Sequence, residues 1–113
     1  MLSIEDLINQ IKSYNPNADF DLIKKSYNYG FNAHKGQYRA SGEIYFTHPV
    51  QVAKIVIDLK LDESTIKTAL LHDTVEDTDS SLNQLEIVFG REVSQLVDLS
   101  LIHISEPTRL AII

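Results

Sequence analysis

An all-α bundle of five or six short helices is the fold class that this sequence predicts. Three observations carry it. Apolar residues recur at three- and four-residue spacing in one segment after another, Ser, Asp, Gly and Pro stand where those segments would start and stop, and no stretch shows the strict alternation of a half-buried strand. With 113 residues, 43% of them hydrophobic, the chain has the size of one domain around a single core.

The elements follow in order. Ser3 and Asp6 open "SIEDLINQIKSY" as a capping pair, with Ile4, Leu7, Ile8 and Ile11 at helical spacing. "NPNAD" breaks this helix, and a second starts at Asp19 or Asp21 and runs toward Gly36 with Phe20, Ile23, Tyr27 and Phe31 on one side. "YRASGEIYFTHP" has no helical period and reads as a loop. Thr47 or His48 then caps a helix whose first residue is Pro49, where a missing N–H costs nothing. Its expected inner stripe is Val52, Ala53, Val56 and Leu59. Asp62 caps a fourth helix, "ESTIKTALLHD", with Ile66, Ala69 and Leu70 on the core side. Asp79 or Ser80 caps a short fifth helix through Leu82, Leu85, Val88 and Phe89, stopped by Gly90. Glu92 to Asp98 begin a sixth. There are no repeats, linkers or low-complexity segments.

Composition removes several function classes. The absence of cysteine excludes disulfides and thiolate metal sites. A formal net charge of −6 with ten scattered Lys and Arg argues against direct binding of nucleic acid. No apolar run approaches the roughly 20 residues that span a bilayer, and "MLSIEDLINQ" lacks the basic flank and apolar run of a signal peptide. A cytoplasmic protein without a membrane partner is expected.

The chemistry concentrates in "LLHDTVEDT". One more helical step along the stripe Ile66, Ala69, Leu70 lands on Asp73, which is therefore expected to point inward, and a buried carboxylate needs a partner. His72 and Asp73 diverge by about 100° around a continuing helix and can converge on one ion beside it. Glu76 and Asp77 follow one turn later. By residue type alone the pair also suits a surface ion pair or a helix C-cap, and "EDTD" a solvated turn. His48 tips the balance. It stands at the start of another helix, whose dipole favours the neutral imidazole that a metal requires, and two His with one Asp suit Mn, Fe or Zn.

Two motifs carry a resemblance. Residues 39–49 fit R-x-S-G-x-x-Y-x-x-H-P, and residues 72–78 fit H-D-x-x-E-D-T. With the sequence around them, from Leu2 to Asp98, they resemble the N-terminal hydrolase region of the RelA/SpoT (Rsh) family, an HD-type metal-dependent phosphohydrolase. The resemblance implies hydrolysis of the 3′-pyrophosphate of (p)ppGpp, in the stringent response, to GDP or GTP and pyrophosphate with bound Mn²⁺. It implies His48, His72 and Asp73 as metal ligands, and Glu76 and Asp77 as the catalytic carboxylates that position and activate water. It implies Arg39 against the guanine base and Ser41 in the same substrate loop, though Ser41 suits a plain surface loop equally well. Ala40 stands where many relatives have Lys, which removes one cation near the nucleotide. His34 reads as a packing or capping histidine, and Tyr45 and Phe46 as core or pocket wall.

The family pattern is expected to end at residue 98. Relatives continue into helices that supply another Asp ligand and an Asn-containing part of the pocket. Here residues 99–109 resemble the translation of a transposase sequencing adapter, so residues 99–113 are expected to be a non-native tail, with His103 and Glu106 outside any site. Residues 1–98 are then an incomplete hydrolase domain. Its N-terminal segment resembles the lead-in of long Rsh proteins that carry synthetase and regulatory domains. Two other functions stay open: an HD phosphohydrolase for another nucleotide, and a non-catalytic regulatory HD domain.

Overall fold

The structure, a computed structural model, describes residues 1–77 and 81–105, with side chains for residues 1–75 and 81–99. Caps set most of the segmentation. In front of α1 (Ile4–Lys12), the Ser3 hydroxyl accepts the Asp6 N–H at 3.2 Å while the Asp6 carboxylate accepts the Ser3 N–H at 3.3 Å, the reciprocal box the sequence predicts. Leu7, Ile8 and Ile11 are buried. Asp19 caps α2 (Phe20–Ala33) through the Leu22 N–H at 3.1 Å, and Ile23 and Tyr27 are buried as their spacing predicts. The helix stops three residues before Gly36, with His34 at its cap.

The third helix departs from expectation. α3 (Thr47–Asp58) starts two residues before Pro49, and its N-cap, Phe46, makes no side-chain capping bond. None is needed. The incoming loop supplies acceptors: Thr47 N–H donates to the Ile44 carbonyl at 3.1 Å and His48 N–H to that of Tyr45 at 3.0 Å. Pro49 still lies in the first turn, where its missing N–H leaves nothing unpaired. The buried face is Val50, Ala53 and Ile57, whereas Val52 and Val56 are only partly buried and Leu59 is 66% exposed. Gln51, Lys54 and Asp58 mark one polar face, but the apolar arc opposite them is broad, so the period of this segment leaves the phase open over part of a turn. The Phe46 ring, 1% exposed, chooses it by locking into the core.

Asp62 caps α4 (Glu63–Leu71), accepting the Thr65 N–H at 3.1 Å and the Thr65 hydroxyl. The helix ends at Leu71 with His72 as C-cap, and a single turn, α5 (Thr74–Asp77), follows. Side chains replace the lost ladder there: the Thr74 hydroxyl donates to the Leu71 carbonyl at 2.7 Å. Ser81, not Asp79 or Ser80, caps α6 (Leu82–Phe89) in a second reciprocal box with Gln84. Asp79 and Ser80 lie outside the described residues. Gly90, at φ +96°, ends α6 and admits the sharp entry into α7 (Arg91–Ser105), which runs without a break past residue 98.

These seven helical segments form the all-α bundle the sequence predicts, and among the described residues β pairing is limited to one antiparallel bridge between Tyr38 and Ile44. α4 lies in the middle. Its Ile66, Ala69 and Leu70 join Leu7, Ile11, Ile23, Tyr27, Phe46 and Val50 in one apolar cluster, while Leu71 joins Leu85, Phe89, Val93 and Val97 in another. Gly30 lets α2 approach closely. A Cβ there would stand 2.5 Å from Phe46 Cε1 and 2.8 Å from the Leu70 carbonyl oxygen.

Candidate metal centre

Three side chains meet where α3 begins and α4 ends. One ligand atom from each of His48, His72 and Asp73 lies within 4.8 Å of the others. His72 Nε2 is 3.3 Å from Asp73 Oδ2, and His48 Nε2 is 3.7 Å from the same oxygen. His72 and Asp73 are 6% and 5% exposed, while the His48 side chain is 39% exposed. The group is thus anchored on a buried floor and open on the His48 side. Asp73 points inward as its place in the stripe predicts. The convergence has a different origin from the one expected: α4 stops at Leu71, so the His72–Asp73 pair sits on the turn into α5 and not on a continuing helix.

Hydrogen bonding fixes what His72 can offer. Its Nδ1 is 2.7 Å from the Ala69 carbonyl oxygen, which can only accept, so Nδ1 carries the hydrogen and Nε2 presents its lone pair. That lone pair faces a carboxylate oxygen. A positive charge, a metal ion or a proton on the imidazole, suits this 3.3 Å approach, and His48 Nε2 closes on the same oxygen at 3.7 Å. Two imidazoles and a carboxylate suit a divalent transition ion. Asp73 also has a neutral donor: the Tyr45 hydroxyl, 2.9 Å from Oδ2.

The loop between α2 and α3 carries the other predicted residues. Arg39 N–H donates to the Glu43 carbonyl at 2.7 Å, and its Nη1 donates to Gln51 Oε1 on α3 at 3.3 Å, three residues beyond His48. Ser41 is exposed and its hydroxyl donates to Glu43 Oε1 at 3.1 Å, a contact within its own turn. Ala40 is exposed. Glu76 and Asp77 belong to α5, directly after the metal-site turn, and their side chains lie outside the described residues. His34 is a packing residue as expected, 2% exposed, its ring tilted 38° against Tyr45 at 4.8 Å. Tyr45 is the residue the sequence undervalued. Its contact spans 28 positions, and the available signal was its place three residues before His48 in the loop motif.

Most of the chain is similar to known proteins. The HD domain family model matches residues 26–106. A GTP pyrophosphokinase of Myxococcus xanthus is 51% identical over 88 residues, 78% of this chain and 12% of that protein. The GTP pyrophosphokinase rsh of Brucella melitensis is 42% identical over 98 residues, 87% of this chain and 13% of that protein. The bifunctional (p)ppGpp synthase/hydrolase SpoT of Escherichia coli is also 42% identical over 98 residues, 87% of this chain and 14% of that protein. The chain spans about one eighth of the length of these curated relatives. No helix among the described residues is long and apolar enough to cross a membrane. The chain belongs to the HD domain family, in its RelA/SpoT (Rsh) branch.

Proposed function

We propose that this chain forms the metal-binding part of a cytoplasmic (p)ppGpp hydrolase, cleaving the 3′-pyrophosphate to leave GDP or GTP. The convergence of His48, His72 and Asp73 carries the reading, because two imidazoles and a carboxylate with ligand atoms within 4.8 Å of one another could hold a divalent ion. The similarity to proteins named for synthesis and hydrolysis of (p)ppGpp supports the substrate.

His48, His72 and Asp73 hold the ion, which we take to be Mn²⁺. A divalent ion bound there supplies positive charge toward phosphoryl oxygens and acidifies a water. Glu76 and Asp77 would orient an attacking water, and one of them would accept its proton as general base. The short α5 places both residues immediately after the ligand turn. Arg39 offers a planar guanidinium to the guanine ring, a stacking that lysine does not reproduce, and Ser41 donates from the same loop. Asp73 and His72 exclude bulk water from one side of the site by their burial. The division at residue 98, with a non-native tail after it and synthetase and regulatory domains in the parent protein, belongs to the same proposal. Resequencing the source DNA across codons 97–113 tests that division.

Pyrophosphate release from ppGpp tests the activity, in a protein that continues from residue 98 into the remaining helices of the family's domain. Mn²⁺-dependent release is expected, and His72→Ala or Asp73→Ala abolishes it with the helical circular dichroism intact. Undiminished hydrolysis in either variant sinks the proposal. Hydrolysis of other nucleotides in preference to ppGpp points to a different HD phosphohydrolase, and metal binding without hydrolysis to a regulatory domain.

A further inference from the structure

Tyr45 occupies a position that neither ligand binding nor core packing accounts for. Its ring is only partly buried, yet its hydroxyl reaches Asp73 Oδ2, the one oxygen that both histidines also approach. A buried carboxylate held by a single contact could turn about its side-chain torsions. Donation from Tyr45 at 2.9 Å occupies one lone pair of Oδ2 and, together with the histidine contacts at 3.3 and 3.7 Å to the same oxygen, restricts how the carboxylate can turn.

Tyr45 is itself held from three directions. Its backbone N–H donates to the Gln37 carbonyl at 2.9 Å. Its ring rests on His34, centroids 4.8 Å apart, and meets the His48 ring at 6.2 Å. His34 is in turn fixed by Gln37, whose Oε1 lies 3.0 Å from His34 Nδ1, while the Gln37 N–H donates to the His34 carbonyl at 3.0 Å. Oε1 assigns the hydrogen to Nδ1, and His34 Nε2 is then buried without a hydrogen-bond partner. An unpaired buried nitrogen costs stability. In exchange His34 presents a flat face toward Tyr45 and a donor toward Gln37, a combination that an apolar ring lacks.

We propose that Tyr45 is a positioning residue for the metal: through its hydroxyl on Asp73 Oδ2 it sets the orientation of that ligand, and His34 and Gln37, at the end of α2, set the orientation of Tyr45. Residues 34–37, just before the first motif, thereby acquire a task at the metal centre without contacting the ion. The inference rests on the metal-centre reading above.

Metal affinity of the chain continued past residue 98, as in the hydrolysis experiment, tests it without recourse to activity. Mn²⁺ is titrated in competition with a fluorescent chelator, Co²⁺ serves as a spectroscopic probe of ligand geometry, and Tm is taken with and without metal. Tyr45→Phe is expected to keep the helical circular dichroism, to bind Mn²⁺ about 10–100-fold more weakly, to alter the Co²⁺ absorption bands, and to lose most of the metal-induced rise in Tm. Affinity and Co²⁺ spectrum equal to wild type overturn the proposal while leaving the metal centre standing. Absence of metal binding by the wild-type chain overturns the metal-centre reading and this inference together. Should Tyr45→Phe not fold, Gln37→Met carries the test, with weaker binding in the same direction expected and unchanged binding overturning it.

Discussion

The two sides of α4 are built differently. On one side, α1, α2 and α3 close over a cluster that draws Leu7 and Ile11 from the first helix, Ile23 and Tyr27 from the second, and Phe46, Val50, Ala53 and Ile57 from the third. On the other, a hairpin of α6 and α7 presses Leu85, Phe89, Val93 and Val97 against Leu71. Consecutive residues, Leu70 and Leu71, thus anchor separate clusters, and both are fully buried. The candidate ligands belong to the first side. His48 follows Phe46 by two positions, His72 and Asp73 leave the end of α4, and Tyr45 leans on His34 at the end of α2. The lesson is that the hairpin buttresses the end of α4 from behind, while the geometry of the metal group is set by the larger cluster.

Matched truncations break or sharpen this contrast most strongly. Leu70→Ala and Leu85→Ala each delete a fully buried leucine, and each is expected to lower stability by about 2–5 kcal/mol in chemical denaturation. Their effects on Mn²⁺ affinity should differ. Leu70→Ala weakens binding, because the last turn of α4 loses its seat, whereas Leu85→Ala leaves affinity near wild type under conditions where both are folded. Equal losses of affinity would show that the hairpin sets the ligands as much as the larger cluster does.

A smaller effect is expected at Gly30, where α2 crosses α4 in the first region. A Cβ at 2.8 Å from the Leu70 carbonyl cannot be accommodated by moving a side chain alone, so Gly30→Ala should destabilise by about 1–3 kcal/mol. A thermal melt at wild-type Tm would contradict the close packing.

The smallest effect concerns the start of α4. The Thr65 hydroxyl, then the Thr65 N–H, hold the Asp62 carboxyl below its ordinary value, with Lys67 adding to them against the opposing effect of burial. The folded state therefore binds this proton less tightly than the unfolded chain. Its contribution is present above the unfolded value and disappears as pH falls through the lowered folded value. Asp62→Ala should cost about 1 kcal/mol at neutral pH, and the gap from wild type should close as pH drops below about 4. A gap that stays constant down to pH of about 2 would remove the ionised cap from the account.

Much of the molecule is legible without coordinates. Ser3 with Asp6, Asp19, Asp62 and Gly90 mark helix ends by local chemistry, and the structure uses all of them. His48, His72 and Asp73 could be named from residue type and the two motifs. Where local signals were absent or duplicated, the reading drifted. The stripe on α3 was misphased because the apolar arc opposite Gln51, Lys54 and Asp58 is broad, and the break at His72 was hidden because "TALLHD" has no helix breaker.

By itself the sequence determined an all-α chain, its main helices, the family and the candidate ligands, since caps and periodicity act within a few residues and motif chemistry is fixed by residue identity. Only the tertiary structure decided which face of α3 is buried, that α4 stops short of its ligands, and that Tyr45 grips Asp73 across 28 positions. Those outcomes depend on which surfaces meet in space, above all on Phe46 entering the core beside Gly30, and no run of neighbouring residues encodes such a meeting.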